Sequence, residues 1–391
     1  MNIEARNRIV GTKAELPYKH DFAPMKIVYL DSGTMHPISL GAKAAVESYL
    51  EARTFAGEGR GYFAGPTEKR VLDRFARLIN ASADEVCFVP STTAGEHLVL
   101  ASLDLPASGG RIVTDTLHFF GSFYLYDELA KRGMDVAWLT PENGRIPIEA
   151  MAAAITPGTK LVSVSLVSTT NGFQHDLKAV CNIAHAQGAV VYADIVHAAG
   201  CTPIDIQDSG VDFAACASYK WLMGDFGLGF LYTRKDRLER VKRTQFGYYQ
   251  LAAFRTPDFP VGPPSEQDGG YSTAPGATGV FALGTISHAV LVQLDWSLNY
   301  ILNIGVEEIE RYRQPMTDRL KAELPRLGYP LMTPIDSKSP LVACAYENAH
   351  SLAPKLQSAH VKIALAKDRF RVSPSIFNDL RDVDLLLDAL S

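Results

Sequence analysis

The stretch VDFAACASYKWLMGDFGLGFLYT, residues 211–233, decides how this chain is read. Two apolar runs, 212–217 and 228–233, have the length of buried strands, and they frame a segment that carries one lysine, Lys220. A lysine in surroundings this apolar is either a snorkelling surface side chain or a buried amine kept for chemistry.

Working outward, short runs rich in valine and isoleucine recur at 85–89, 111–115, 135–139, 160–166 and 189–193. Between them, 122–132 and 176–187 have the spacing of amphipathic helices. Strands alternating with helices predict an α/β fold, with a mainly parallel seven-stranded sheet covered by helices on both faces. A long helical pattern follows over 285–324, and a small α+β piece closes with a helix at 379–390. The expected organisation is an N-terminal arm over 1–30, a large domain over 31–284, and a linking helix with a small C-terminal domain over 285–391. The segment 255–276, rich in proline and glycine, reads as a loop.

Composition narrows the function. A chain of 391 residues with 47% apolar and 21% charged residues can bury a large core. Its formal charge of -5, with dispersed lysines and arginines, gives no basic field for nucleic acid. The opening MNIEARNRIVGTKAEL puts charges where an export signal needs an apolar core, and no uncharged stretch is continuous enough for a membrane span. A cytoplasmic protein is expected. Five widely spaced cysteines without a CxxC pair fit reduced core thiols better than disulfides, and no metal site is expected.

Ligands of such sheets bind beyond the carboxyl ends of the strands. After the first of these comes VPSTTAGEHLVLASL, where Ser91, Thr92 and Thr93 open a helix. Hydroxyls, free amides and the helix dipole suit a phosphate there, although an ordinary serine or threonine cap has the same look. Another strand runs into DIVHAAG, with Asp194 at its carboxyl edge and His197 in the following turn. Lys220 comes just after the next strand. A phosphate seat, a carboxylate and a lysine at neighbouring strand ends point to pyridoxal 5'-phosphate: the amine forms a Schiff base with the aldehyde, and the aspartate keeps the pyridine nitrogen protonated.

With these motifs in place, the chain resembles the class V aminotransferase group of fold-type I pyridoxal phosphate enzymes over nearly its whole length. That group includes cysteine desulfurases, kynureninases, isopenicillin N epimerase-like proteins and cysteine or cystine lyases. The lysine motif carries the small pair Ala217 and Ser218 before Lys220, and Gly227 and Gly229 after it. Tyr219 stands where many members have histidine, as in kynureninase-like sequences, which implies a hydroxyl for the phosphate. The resemblance implies that His197 approaches the cofactor's 3-hydroxyl and that His118, in DTLHFFGSFY, stacks on the pyridine face. Thr169, in LVSTTNG, occupies a position often held by asparagine near the 3-hydroxyl. The C-terminal DRFRVSPSIFNDL implies that Arg371 grips the substrate α-carboxylate, as a planar guanidinium does with two parallel hydrogen bonds. YLDSGTMHP resembles the family's N-terminal substrate loop and places Gly33 and Thr34 near the site. A homodimer is implied, its site completed by a loop of the partner subunit that carries Thr273 and Thr278, with Thr278 taken as the cofactor-binding residue.

The substrate is therefore an α-amino acid, and three readings of the function stand. The first is a lyase that eliminates a β-substituent, such as a cysteine- or cystine-like C–S lyase. The second is an aminotransferase or an isopenicillin N epimerase-like racemase using the same residues. The third is a non-catalytic pyridoxal phosphate-binding protein, which would need a further module that this length does not provide. Desulfurases of the family carry a persulfide cysteine roughly fifteen residues before the carboxylate-binding arginine, a spacing known from the resemblance. Here the last cysteine, Cys344, sits in the alternating PLVACAYE, where it reads as a small core residue. The substrate side chain is expected to meet 245–276, with aromatic residues, Arg255 and Glu266.

Overall fold

The computed structural model describes residues 19–55, 65–254 and 271–391. After a two-residue strand, β1 (Val28–Tyr29), the helices α1 (Leu40–Phe55) and α2 (Pro66–Leu78) lead into the main sheet. Its strands are β2 (Val86–Val89), β3 (Arg111–Asp115), β4 (Asp135–Leu139), β5 (Thr159–Ser165), β6 (Val190–Asp194), β7 (Phe213–Ala217) and β8 (Gly229–Thr233). They lie in the order β2-β8-β7-β6-β5-β3-β4. The five strands from β7 to β4 pair in parallel, whereas β8 runs antiparallel to both β7 and β2.

The reversal at β8 follows from the chain itself. A parallel crossover needs about a dozen residues or more, usually with a helix, and the segment between β7 and β8 is too short for one. It turns back at the carboxyl edge of β7, and Lys220 lies in that turn. β2 points the same way as β7, so the helix after it, α3 (Thr92–Ser102), also starts at this edge.

Strands β6 and β7 are buried on every residue, as strands covered on both faces must be. One apolar cluster covers one face, built partly from α5 (Leu177–Ala186) through Val180 and Ala184. A second covers the other, with Leu98 and Val99 of α3, and Tyr126 and Leu129 of α4 (Phe120–Lys131).

The helical pattern of 285–324 is two helices rather than one, α6 (His288–Ile304) and α7 (Val306–Arg326), because Gly305 turns to φ 93° between them. The first packs on α1 and α2 beside the main sheet. The second places Met316, Leu320 and Leu324 in a separate core with Val342, Phe370 and Val372. That core belongs to a small antiparallel sheet in which Arg369–Val372 lies between Val342–Ala345 and Ala364–Leu365. The closing helix, Leu380–Leu390, is capped by Asp379 and covers it with Val383, Leu386 and Leu387. Within the expected loop 255–276, residues 255–270 lie outside the described residues, while Tyr271–Thr273 pairs with Leu251–Phe254 and Gly276 starts a short helix.

Candidate active site

At the end of β2, Ser91 caps α3 by accepting the Ala94 amide at 3.1 Å. Thr92 Oγ1 accepts the Ala217 amide at 3.0 Å, which ties the start of α3 to the end of β7. The amides of Thr92 and Thr93 find no acceptor among the described residues, so this helix end retains anion-binding capacity. Ser218 Oγ donates to the Asp225 carbonyl at 2.7 Å and closes the turn that holds Lys220. Tyr219 stacks on Phe226 with ring centroids 4.4 Å apart.

Asp194 ends β6 almost fully buried, with Oδ1 accepting the Val196 amide at 2.9 Å and Oδ2 lacking a donor among the described residues. Burial raises its pKa, and the attraction of His118 and Lys220 opposes that rise. Lys220 Nζ lies 2.8 Å from His197 Nε2. Burial pushes the Lys220 amine down to about 8, and burial together with the lysine's charge holds His197 well below the usual imidazole range. A neutral imidazole beside an easily deprotonated amine is the resulting state. The turn is fixed from outside as well: Gln293 and Ser297 donate to the Met223 carbonyl, and a Cβ on Gly200 would meet the Trp221 carbonyl at 2.6 Å.

His118 lies deeper than a ring-stacking residue would. It is fully enclosed, with Nδ1 2.8 Å from Ser165 Oγ and Nε2 3.1 Å from Glu96 Oε1. The next ring, Phe119, is partly exposed, and its amide donates to Ser165 Oγ at 3.2 Å.

Thr169 meets Arg371. Arg371 Nη1 donates to Thr169 Oγ1 at 2.6 Å and to its carbonyl at 3.0 Å, and Nη2 donates to Thr34 Oγ1 at 3.0 Å. The small sheet thereby reaches the end of β5. Gly33 lies flat on the same element, its amide donating to Ser373 Oγ at 2.9 Å, where a Cβ would come within 2.7 Å of Leu341. Two residues that sequence reasoning missed complete this seam. Asp31 is buried 4.0 Å from Arg371, and His36 bonds Ser375 Oγ at 2.8 Å while its amide donates to the Tyr219 carbonyl. Both belong to the YLDSGTMHP loop, so the motif itself was the available signal.

Thr273 ends an exposed hairpin strand, whereas Thr278 is half-buried in the helix Gly276–Phe281. Arg255 and Glu266 lie outside the described residues. All five cysteines are buried and free.

These groups fit pyridoxal phosphate. The free amides of α3 suit its phosphate, the open Asp194 Oδ2 suits a ring N–H, and the Lys220 amine suits its aldehyde. Among the described residues no helix is long and apolar enough to cross a membrane.

Comparison with known proteins agrees. The sequence model of the family Aminotransferase class-V matches residues 67–367. A cysteine desulfurase of Haloferax volcanii is 26% identical, with 98% of this chain and 93% of that protein covered. Isopenicillin N epimerase of Streptomyces clavuligerus is 28% identical over 78% of this chain and 75% of its own. Among solved structures, the apo cysteine desulfurase of Thermococcus onnurineus superposes with a TM-score of 0.83 at 21% identity, covering 96% of this chain and 98% of that one. The cystine C-S lyase C-DES, in complex with its product cysteine persulfide, gives 0.81 at 18% identity over 93% and 97%. The chain belongs to the class V aminotransferase family and is a pyridoxal phosphate-dependent enzyme.

Proposed function

We propose that this enzyme eliminates the β-substituent of a cysteine- or cystine-like α-amino acid, without a persulfide cysteine of its own. The observation that carries the reading is the burial of all five thiols. Burial raises the pKa of Cys201 and of Cys344 to about 12, so neither is a thiolate nucleophile at neutral pH.

When bound, pyridoxal phosphate supplies an aldehyde for the amino group and a ring that takes up the electrons of a broken bond at Cα. Thr92 and Thr93 amides, with the Tyr219 hydroxyl, would hold its phosphate, Ser218 setting the turn through its bond to the Asp225 carbonyl, and Asp194 Oδ2 would hold the proton on its ring nitrogen. Phe119 is better placed than His118 to cover the ring. His197 is neutral and turns Nε2 toward Lys220. Arg371, steadied by Thr169 and Thr34, would grip the α-carboxylate and fix the orientation of the substrate. Lys220 Nζ then removes the α-proton, and the β-substituent leaves with the electron pair of its bond. Hydrolysis of the released enamine gives a keto acid and ammonia. A homodimer completes the site, with Thr273 the better placed of the two threonines to reach a neighbouring subunit's phosphate.

The test supplies cystine without any keto acid and follows keto acid, ammonia and the cofactor spectrum together. Repeated turnover with ammonia released supports elimination. A single turnover that resumes only when a keto acid is added establishes transamination, and inversion at Cα without ammonia establishes epimerisation.

A further inference from the structure

We propose that Glu96 and His118 form a buried ion pair that acts as a positioning device, a fixed positive charge behind Asp194 that keeps this carboxylate paired with the ring nitrogen of pyridoxal phosphate. The proposal rests on the reading of Asp194 given above, and it assigns Glu96 a role that no sequence motif marks.

Glu96 lies on α3 facing the core, 3% exposed, and His118 is 0% exposed. Glu96 Oε1 accepts Tyr126 Oη at 2.6 Å, His118 Nε2 at 3.1 Å and Ser163 Oγ at 3.2 Å. Its other oxygen, Oε2, accepts Ser122 Oγ at 2.6 Å. Three hydroxyls and the His118 ring converge on one carboxyl group, surroundings that suit an anion, and Ser163 Oγ lies 3.2 Å from His118 Nε2 as well. The opposite ring nitrogen, His118 Nδ1, reaches Ser165 Oγ at 2.8 Å, and Ser165 is the register partner of Asp194 across β5 and β6. Glu96, His118, Ser165 and Asp194 therefore form one chain of neighbours running from the core to the site.

The charges around His118 decide its state. Glu96 faces it from α3, Asp115 from β3, Tyr126 from α4 and Asp194 from β6, with His175 beyond Asp115 and Lys220 beyond Asp194. Carboxylates buried without a cation are costly, so this cluster favours the imidazolium. Burial disfavours charge on both partners, yet their hydrogen bond and mutual attraction raise the pKa of His118 and lower that of Glu96. Two cations attract Asp194, namely His118 and Lys220. The charge of Lys220 changes as its amine meets the aldehyde and later takes up the α-proton, whereas His118 keeps its own charge throughout turnover.

The experiment compares wild type with Glu96→Gln, a substitution that keeps the shape and removes the charge. Proton NMR of the apoprotein reads the His118 ring N–H signals, and spectral titration with pyridoxal phosphate reads its affinity and the pH dependence of its visible band. Wild type should keep both ring protons at pH 8, well above the ordinary imidazole value of about 6.5. Glu96→Gln should lose one of them at that pH and bind the cofactor about tenfold more weakly, the equivalent of one pKa unit. A single ring proton on wild-type His118 at pH 7 overturns the proposal without any variant. So does a Glu96→Gln protein with unchanged affinity and spectrum while Asp194→Asn is severely impaired. If Asp194→Asn itself leaves affinity and spectrum unchanged, the reading of Asp194 falls instead, whatever the state of His118.

Discussion

Arg371 Nη1 donates to Thr169 Oγ1 at 2.6 Å, so the proposed carboxylate grip is aimed by the turn that follows β5 of the main sheet. Its Nε is buried without an acceptor, and Asp31 stands 4.0 Å from Nη2, which leaves donor capacity for an incoming carboxylate. Arg371→Ala should weaken substrate binding by about thirtyfold, the equivalent of ~2 kcal/mol for a charge-assisted pair. Arg371→Lys should recover only part of this, because an ammonium cannot reproduce the planar fork. Thr169→Val, which keeps the carbonyl contact and removes the hydroxyl, should cost less than Arg371→Ala. Spectral titration with substrate measures all three, and an unchanged affinity in Arg371→Ala would move the carboxylate site elsewhere.

Lys220 predicts a pH signature. Burial pushes its amine down to about 8 in the folded apoprotein, whereas a lysine freed by unfolding titrates near 10.4. Capture of pyridoxal phosphate by the apoprotein should therefore speed up with pH and level off just above pH 8, as stopped-flow absorbance can follow. Between the two values the unfolded chain binds the extra proton, so this group makes the folded apoprotein more stable as pH rises through that window. Lys220→Ala should lose borohydride trapping of the cofactor. Trapping on another lysine in that variant would withdraw the assignment.

Asp194→Asn tests the electron sink. The amide cannot keep a proton on the ring nitrogen by charge, so α-proton exchange into deuterated water should slow by about a hundredfold or more. Cofactor affinity should fall less, because the proposed phosphate seat at Thr92 and Thr93 is untouched. Near-normal exchange would take Asp194 out of the mechanism.

How much of this was legible in the sequence depended on whether a residue's neighbours were local. Asp194 ends an apolar run and Lys220 follows one, so periodicity alone brought both to one sheet edge; in the structure Asp194 pairs with Ala215, five residues before Lys220. The reversal at β8 was equally local, since a segment too short for a crossover must turn back. His118 was different. Whether it or Phe119 faces the site depends on Glu96, which draws the imidazole inward from a helix elsewhere in the chain. The visible sign was a glutamate inside TTAGEHLVLAS, a helix with little other charge, but pattern alone does not say what such a residue meets. Thr169 shows the same limit: its partner, Arg371, arrives from the small sheet, out of reach of local pattern. The break at Gly305 was readable as a glycine, although the continuing helical period on either side hid it.

The proposed homodimer gives the last test. Leu251–Phe254 and Tyr271–Thr273 form a two-stranded hairpin detached from the main sheet, with Phe254 55% and Tyr271 70% exposed. Phe246 and Tyr248 add exposed rings just before it. Aromatic surface gathered on one hairpin fits an interface between copies, because water solvates it poorly and a symmetric partner covers it twice. Sedimentation should give a dimer, and Phe254→Asp with Tyr271→Asp should shift it toward monomer and remove activity together. Thr273, exposed at the end of that hairpin, should matter to the neighbouring site: Thr273→Ala should weaken cofactor affinity about tenfold, the scale of one hydrogen bond to a charged phosphate. Thr278→Ala, within a helix packed on its own chain, should leave that affinity nearly unchanged. A fully active monomer, or equal effects of the two threonine variants, would refute the shared site.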